Sequence, residues 1–149
     1  MAKDLPEGAP VMLRMSVERE KGYLSRLDVH MEDLQYGGAT LVIPFDESLT
    51  DDERDPPTVH NGIAATLLEQ AAELAIRTTM PDPVNDTVEP LSLDINFLYD
   101  AVYDLTATAE VVDTHDTSAV ASVTVESKTP EGNVEPMATG QGVFRAETD

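Results

Sequence analysis

Residues 58–80 read TVHNGIAATLLEQAAELAIRTTM. A His60-Asn61-Gly62 turn leads into an Ala- and Leu-rich run. At about 100° per residue, the run from Ile63 to Arg77 is apolar over more than half its circumference. Thr66, Glu69, Gln70, Glu73 and Arg77 are confined to the remaining arc. That pattern predicts a central helix over residues 60–80, enclosed by other elements on most sides. Ala64, Ala65, Ala71, Ala72 and Ala75 give it the small surface that a close-fitting partner needs.

The segments that flank this helix read as strands. Upstream, SRLDVHMEDLQ and ATLVIPFDE flank Tyr36-Gly37-Gly38, a turn signal between two β-like runs, so a hairpin is expected. The polar, proline-bearing ESLTDDERDPPT follows as a loop. Downstream, Leu91, Leu93, Ile95 and Phe97 alternate with Ser92, Asp94 and Asn96, the period-2 pattern of a sheet with one buried face. Leu105, Ala107, Ala109 and Val111 repeat it, as do Ala119, Ala121, Val123 and Val125. PMATGQGVFRA is expected as a last strand whose Gly140 and Gly142 leave room for a close neighbour. At the N-terminus, Val11, Met12, Met15 and Val17 fall at helical spacing, predicting a short helix from Ala9 that stops near Gly22.

This order buries its apolar faces best as an α+β hotdog fold, a curved, mostly antiparallel six-stranded sheet wrapped around a long central helix. A generic α+β sandwich would share the element order. At 149 residues a single domain is expected, with residues 1–24 as a helical lead-in.

Composition narrows the chemistry. Without cysteine there is no disulfide or thiolate nucleophile, and His30, His60 and His115 show no ligand spacing, so no metal is expected. Twenty-nine acids against nine bases, net −20, cannot assemble the basic surface that nucleic acid requires. The acids are interspersed with a 41% hydrophobic content in periodic segments, unlike a disordered chain. An acidic, Lys-poor coat on an ordinary core fits a protein adapted to molar intracellular salt. No signal-peptide pattern or membrane-length apolar run is present, which points to a soluble, cytoplasmic protein that does not engage a membrane.

Glu69 sits at the boundary of the polar arc. It reads either as a solvated residue of an acidic helix or as a partly desolvated carboxylate with a raised pKa, suited to act as a general base. The first-turn N–H groups around Asn61 and Gly62 read either as an ordinary helix start or as donors for an oxyanion.

VHNGIAATLLEQAAELA resembles the signature of the hotdog acyl-CoA thioesterases of the phenylacetate-degradation (PaaI-like) type: His-Gly-Gly, six residues, then Asp or Glu. LSLDINFLYDA, LTATAEVV and MATGQGVFR resemble that family's strands in the same order, so the likeness covers about residues 25–146. The resemblance implies an acyl-CoA thioester hydrolase. Glu69 would be its nucleophile or base, Asn61 and Gly62 its oxyanion turn with His60 beside them, and Gln70, Glu73, Asn96 and Phe97 would line the substrate. No separate cofactor is implied, CoA being part of the substrate.

Asn61 and Glu69 are eight residues apart, on the order of 12 Å along one helix, too far to touch one carbonyl. One site must therefore combine two chains, and a homodimer or a homotetramer built as a dimer of dimers is expected. The chain departs from the family pattern in three places. Asn61 stands for the usual Gly, Arg54 stands where an Asn or Gln amide is usual, and Tyr99 stands where a basic residue often meets the nucleotide phosphates. Two other readings share the fold: an acyl- or CoA-binding hotdog protein without hydrolysis, and a hydratase that would use His60 with an acid.

Overall fold

The computed structural model describes residues 3–19, 21–50 and 54–148. Residues 51–53 of the expected proline-bearing loop lie outside these segments. Two short helices, α1 (Ala9–Val17) and α2 (Tyr23–Arg26), precede the hairpin β1 (His30–Gln35) and β2 (Gly38–Ile43). A 3-10 turn (Glu47–Leu49) leads to the long helix α3 (Asn61–Arg77). Strands β3 (Thr87–Phe97), β4 (Leu105–Thr114), β5 (Ser118–Lys128) and β6 (Val134–Glu147) complete the chain. The six strands form one sheet in the order β1-β2-β4-β5-β6-β3, every neighbouring pair antiparallel. Helix α3 packs across β2, β4 and β5 and reaches β3 and β6. This is the expected hotdog arrangement, with the sheet not closed.

Small side chains on both surfaces let helix and sheet approach. Ala64, Ala71, Ala72 and Ala75 of α3 are buried, and so are Ala39, Ala107, Ala109, Ala119, Ala121 and Ala138 of the sheet. Leu67, Leu68 and Ile76 fill the remaining space between them. At Gly140 a Cβ would lie 2.2 Å from the Asp94 carbonyl oxygen, so only glycine lets β6 pair with β3 there. The hairpin turns at Tyr36-Gly37, where Gly37 takes φ 81 and its N–H donates to the buried Thr78 hydroxyl at the end of α3 (2.7 Å).

Three expectations change. Strand β1 begins at His30 rather than Ser25: Tyr23–Arg26 is helical, and Asp28 at φ 56 interrupts any extended run before His30. Helix α1 ends at Val17 rather than near Gly22, because Glu18 leaves helical geometry while its carboxylate accepts the Met31 N–H (2.9 Å). Its buried face is Ala9, Leu13 and Val17, leaving Val11, Met12 and Met15 exposed.

The third change concerns β3, whose expected buried face lies open. Leu91 is 62% exposed, Leu93 38% and Phe97 44%, with Leu98 beyond the strand at 56%. The physical reason is position: β3 is the edge strand past β6, paired on one side only, and a register shift between Pro90 and Ser92 takes Leu91 out of the regular alternation.

Candidate active site

Helix α3 starts with an unusual cap. His60, at the N-cap position, accepts the Gly62 N–H on Nδ1 at 2.8 Å, and its own N–H donates to the Leu49 carbonyl (2.9 Å). Accepting on Nδ1 places the proton of the neutral ring on Nε2. A Cβ at residue 62 would lie 2.8 Å from that Nδ1, so glycine is what lets the ring seat. The Ile63 N–H donates to the His60 carbonyl. The Asn61 N–H is then the first-turn donor with no acceptor among the described residues, at the positive end of a 17-residue helix. The first two positions of the turn are thus unequal: Gly62 is occupied and Asn61 is open.

Glu69 lies two turns further along, half-buried at the margin of the exposed arc. Burial raises its carboxyl above the ordinary 4.5, and the neighbouring charge of Glu73 adds to the rise. Its carboxylate has no hydrogen-bond or ion-pair partner among the described residues. Glu73 is different, because its carboxylate holds Arg77 Nε at 3.1 Å while Arg77 also donates to the Pro83 and Asp86 carbonyls. Two acids one turn apart therefore have distinct states, one tied into structure and one free with a raised pKa. Gln70 is half-buried on the same arc.

The other expected site residues are dispersed. Phe97 is on the inner side of the edge strand and partly exposed. Asn96 faces the other way: it pairs with Thr139, which pairs with Thr124, on the outer face of the sheet opposite buried Val123 and Val125. There it joins Asp94 and Gln141 in a shallow polar depression, not the helix side. Arg54 forms an ion pair with Asp100. The Tyr99 hydroxyl lies 2.7 Å from both the Ser127 and Glu135 carbonyls, bridging the start of β6 to the end of β5. A cavity of about 330 Å³ lined by Tyr103, Asp104, Thr106, Glu126 and Lys128 contains none of the expected site residues.

One contact joins two residues that no sequence motif pairs. Tyr23 of α2 is 3.1 Å from the Thr66 hydroxyl on the exposed arc of α3. Thr66 spends its single proton on the Gly62 carbonyl (2.9 Å), so Tyr23 is the donor. The lead-in is thereby fixed on the helix that carries Glu69. Nothing in the local pattern signals a contact between residues 43 positions apart.

A curved sheet packed on a small-residue helix defines a hotdog protein, here with an open N–H at the helix start and a half-buried carboxylate two turns along the same helix. Comparison with known proteins agrees. The Thioesterase superfamily profile matches residues 57–132. A Halobacterium salinarum protein named "Putative esterase" is 39% identical over 132 residues, covering 87% of each chain. Among solved structures, a thioesterase family protein from Silicibacter pomeroyi superposes with a TM-score of 0.81 at 24% identity, over 95% of this chain and 100% of that one. A thioesterase from Haemophilus influenzae gives 0.70 at 17% identity, over 84% and 82%. The chain belongs to the Thioesterase superfamily. Thioester hydrolysis is the class of activity that membership supports.

Proposed function

We propose that the chain is an acyl-CoA thioesterase of the PaaI-like type, acting in the cytoplasm of a salt-adapted cell as a homodimer or a dimer of dimers. The observation that carries this reading is Glu69: half-buried, unpaired and raised in pKa, on the helix whose first N–H is open. As a base, Glu69 takes a proton from water while the hydroxide adds to the thioester carbonyl carbon. The oxyanion so formed accepts the Asn61 N–H of a second copy. Collapse breaks the C–S bond, and the departing thiolate takes the proton back from Glu69, giving acid and free CoA. As a nucleophile, Glu69 would instead form a mixed anhydride that water then opens. His60 caps the turn through Nδ1 and so fixes the backbone on either side of Asn61.

The open edge supports the dimer. Strand β3 offers unpaired backbone and exposed Leu91, Leu93 and Phe97, a surface that a second β3 would cover. The test is a thiol-release screen over acyl-CoAs in molar KCl, with Glu69→Gln alongside. Release that is lost in the variant supports the reading; equal release by both chains defeats it.

A further inference from the structure

The charge of this chain is unevenly divided. Residues 1–26, the lead-in together with the end of α2, hold five of the nine Lys and Arg but only four of the 29 acids, so this segment is net +1 and the remainder −21. The pairing of the bases sharpens the division. Arg14 is held by Glu18 and the Met31 carbonyl, Arg54 by Asp100, Arg77 by Glu73, and Arg145 by Glu89 and Glu147, while Lys3 lies over the Tyr36 ring. Lys128 shares its cavity with Asp104 and Glu126. Arg19, Lys21 and Arg26 remain, exposed and with no ion-pair partner among the described residues. The one acid between them in sequence is Glu20.

These three cations flank Tyr23, which is 56% exposed and whose hydroxyl fixes the segment on Thr66 of α3. Tyr23 and Arg26, three positions apart on one helical turn, share a face. An aromatic ring beside a guanidinium, with two more cations within a few residues, suits an adenine nucleotide: the ring offers the base a stacking surface and the cations meet phosphate. CoA carries its phosphates at the far end of a flexible arm from the thioester. Its anionic end therefore needs positive charge near Glu69 but not at it.

We propose that Arg19, Lys21 and Arg26, which bracket Tyr23 in sequence, form with it the site for the phosphorylated nucleotide end of CoA. The proposal rests on the acyl-CoA reading for its ligand, and its test separates the two. The triple variant Arg19→Gln/Lys21→Gln/Arg26→Gln is compared with the parent chain on one acyl group carried either by CoA or by pantetheine, which lacks the nucleotide. The comparison is made at the lowest KCl at which circular dichroism shows both chains folded. Binding of CoA alone is followed by calorimetry. The ratio of KM for acyl-CoA to KM for acyl-pantetheine should rise about tenfold or more in the variant, and CoA binding should weaken by a similar factor. An unchanged ratio, an unchanged CoA affinity, or a parent chain that binds no CoA overturns the proposal. Failure of the parent to release thiol from either substrate strikes the hydrolase reading instead, and CoA binding still decides the nucleotide site.

Discussion

His60 Nδ1 accepts the Gly62 N–H at 2.8 Å, and this bond leaves Asn61, between them, as the residue whose first-turn N–H is open. The arrangement lets the donor be deleted without unmaking the helix. Asn61 is at the first helical position, where proline is well tolerated, and His60 at φ −58, ψ 132 already has the backbone that precedes a proline. Asn61→Pro should keep the thermal midpoint within about 2 °C of the parent while lowering kcat roughly 10²–10³-fold. A variant with full kcat would remove Asn61 from the mechanism.

Glu69→Gln should lower kcat by at least about 10²-fold, and in the parent the acid limb of kcat/KM should fall above the ordinary carboxylate value of 4.5, because burial holds Glu69 protonated to higher pH. The same shift affects stability. Between the ordinary and the raised value the folded chain keeps a proton that the unfolded chain has lost, so this group's contribution to stability falls as pH rises through that window. Glu69→Gln is therefore expected to melt higher than the parent at pH 7 and equally below pH 4. Melting curves at the two pH values check the sign.

A site shared between chains predicts complementation. Mixing Glu69→Gln with Asn61→Pro under conditions of subunit exchange should restore roughly a quarter of parental activity, since half the dimers are mixed and each has one intact site. Neither variant alone should recover. Leu91→Asp with Phe97→Glu, on the open edge, should yield a monomer by light scattering, with activity lost in parallel; an active monomer would contradict the shared site.

The net charge of −20 destabilises the compact chain by self-repulsion at low ionic strength, where the Debye length is about 10 Å, and far less at 1 M salt, where it is about 3 Å. The urea midpoint should rise between 0.1 M and 2 M KCl. A midpoint as high in dilute buffer would mean that the acidic coat is not a salt adaptation.

Residues 58–80 and the three alternating strands made the elements and their order legible, because helical and pleated periodicities are local properties. A generic α+β sandwich shares that order, and the pairing β1-β2-β4-β5-β6-β3 with α3 packed across it is what selects the hotdog. The carboxylate at Glu69 was legible too, as a residue at a boundary, but its difference from Glu73 was not, because that depends on Arg77 being held by Pro83 and Asp86. The alternation of Leu91, Leu93 and Phe97 announced a buried face; only the strand order showed that β3 is an edge, where the same pattern lies open. Likewise no local signal foretold that Tyr23 would meet Thr66, or that His60 would occupy Gly62 and leave Asn61 free. Period and composition are written along the chain, whereas pairing is settled only when distant segments pack and compete for the same donors and charges.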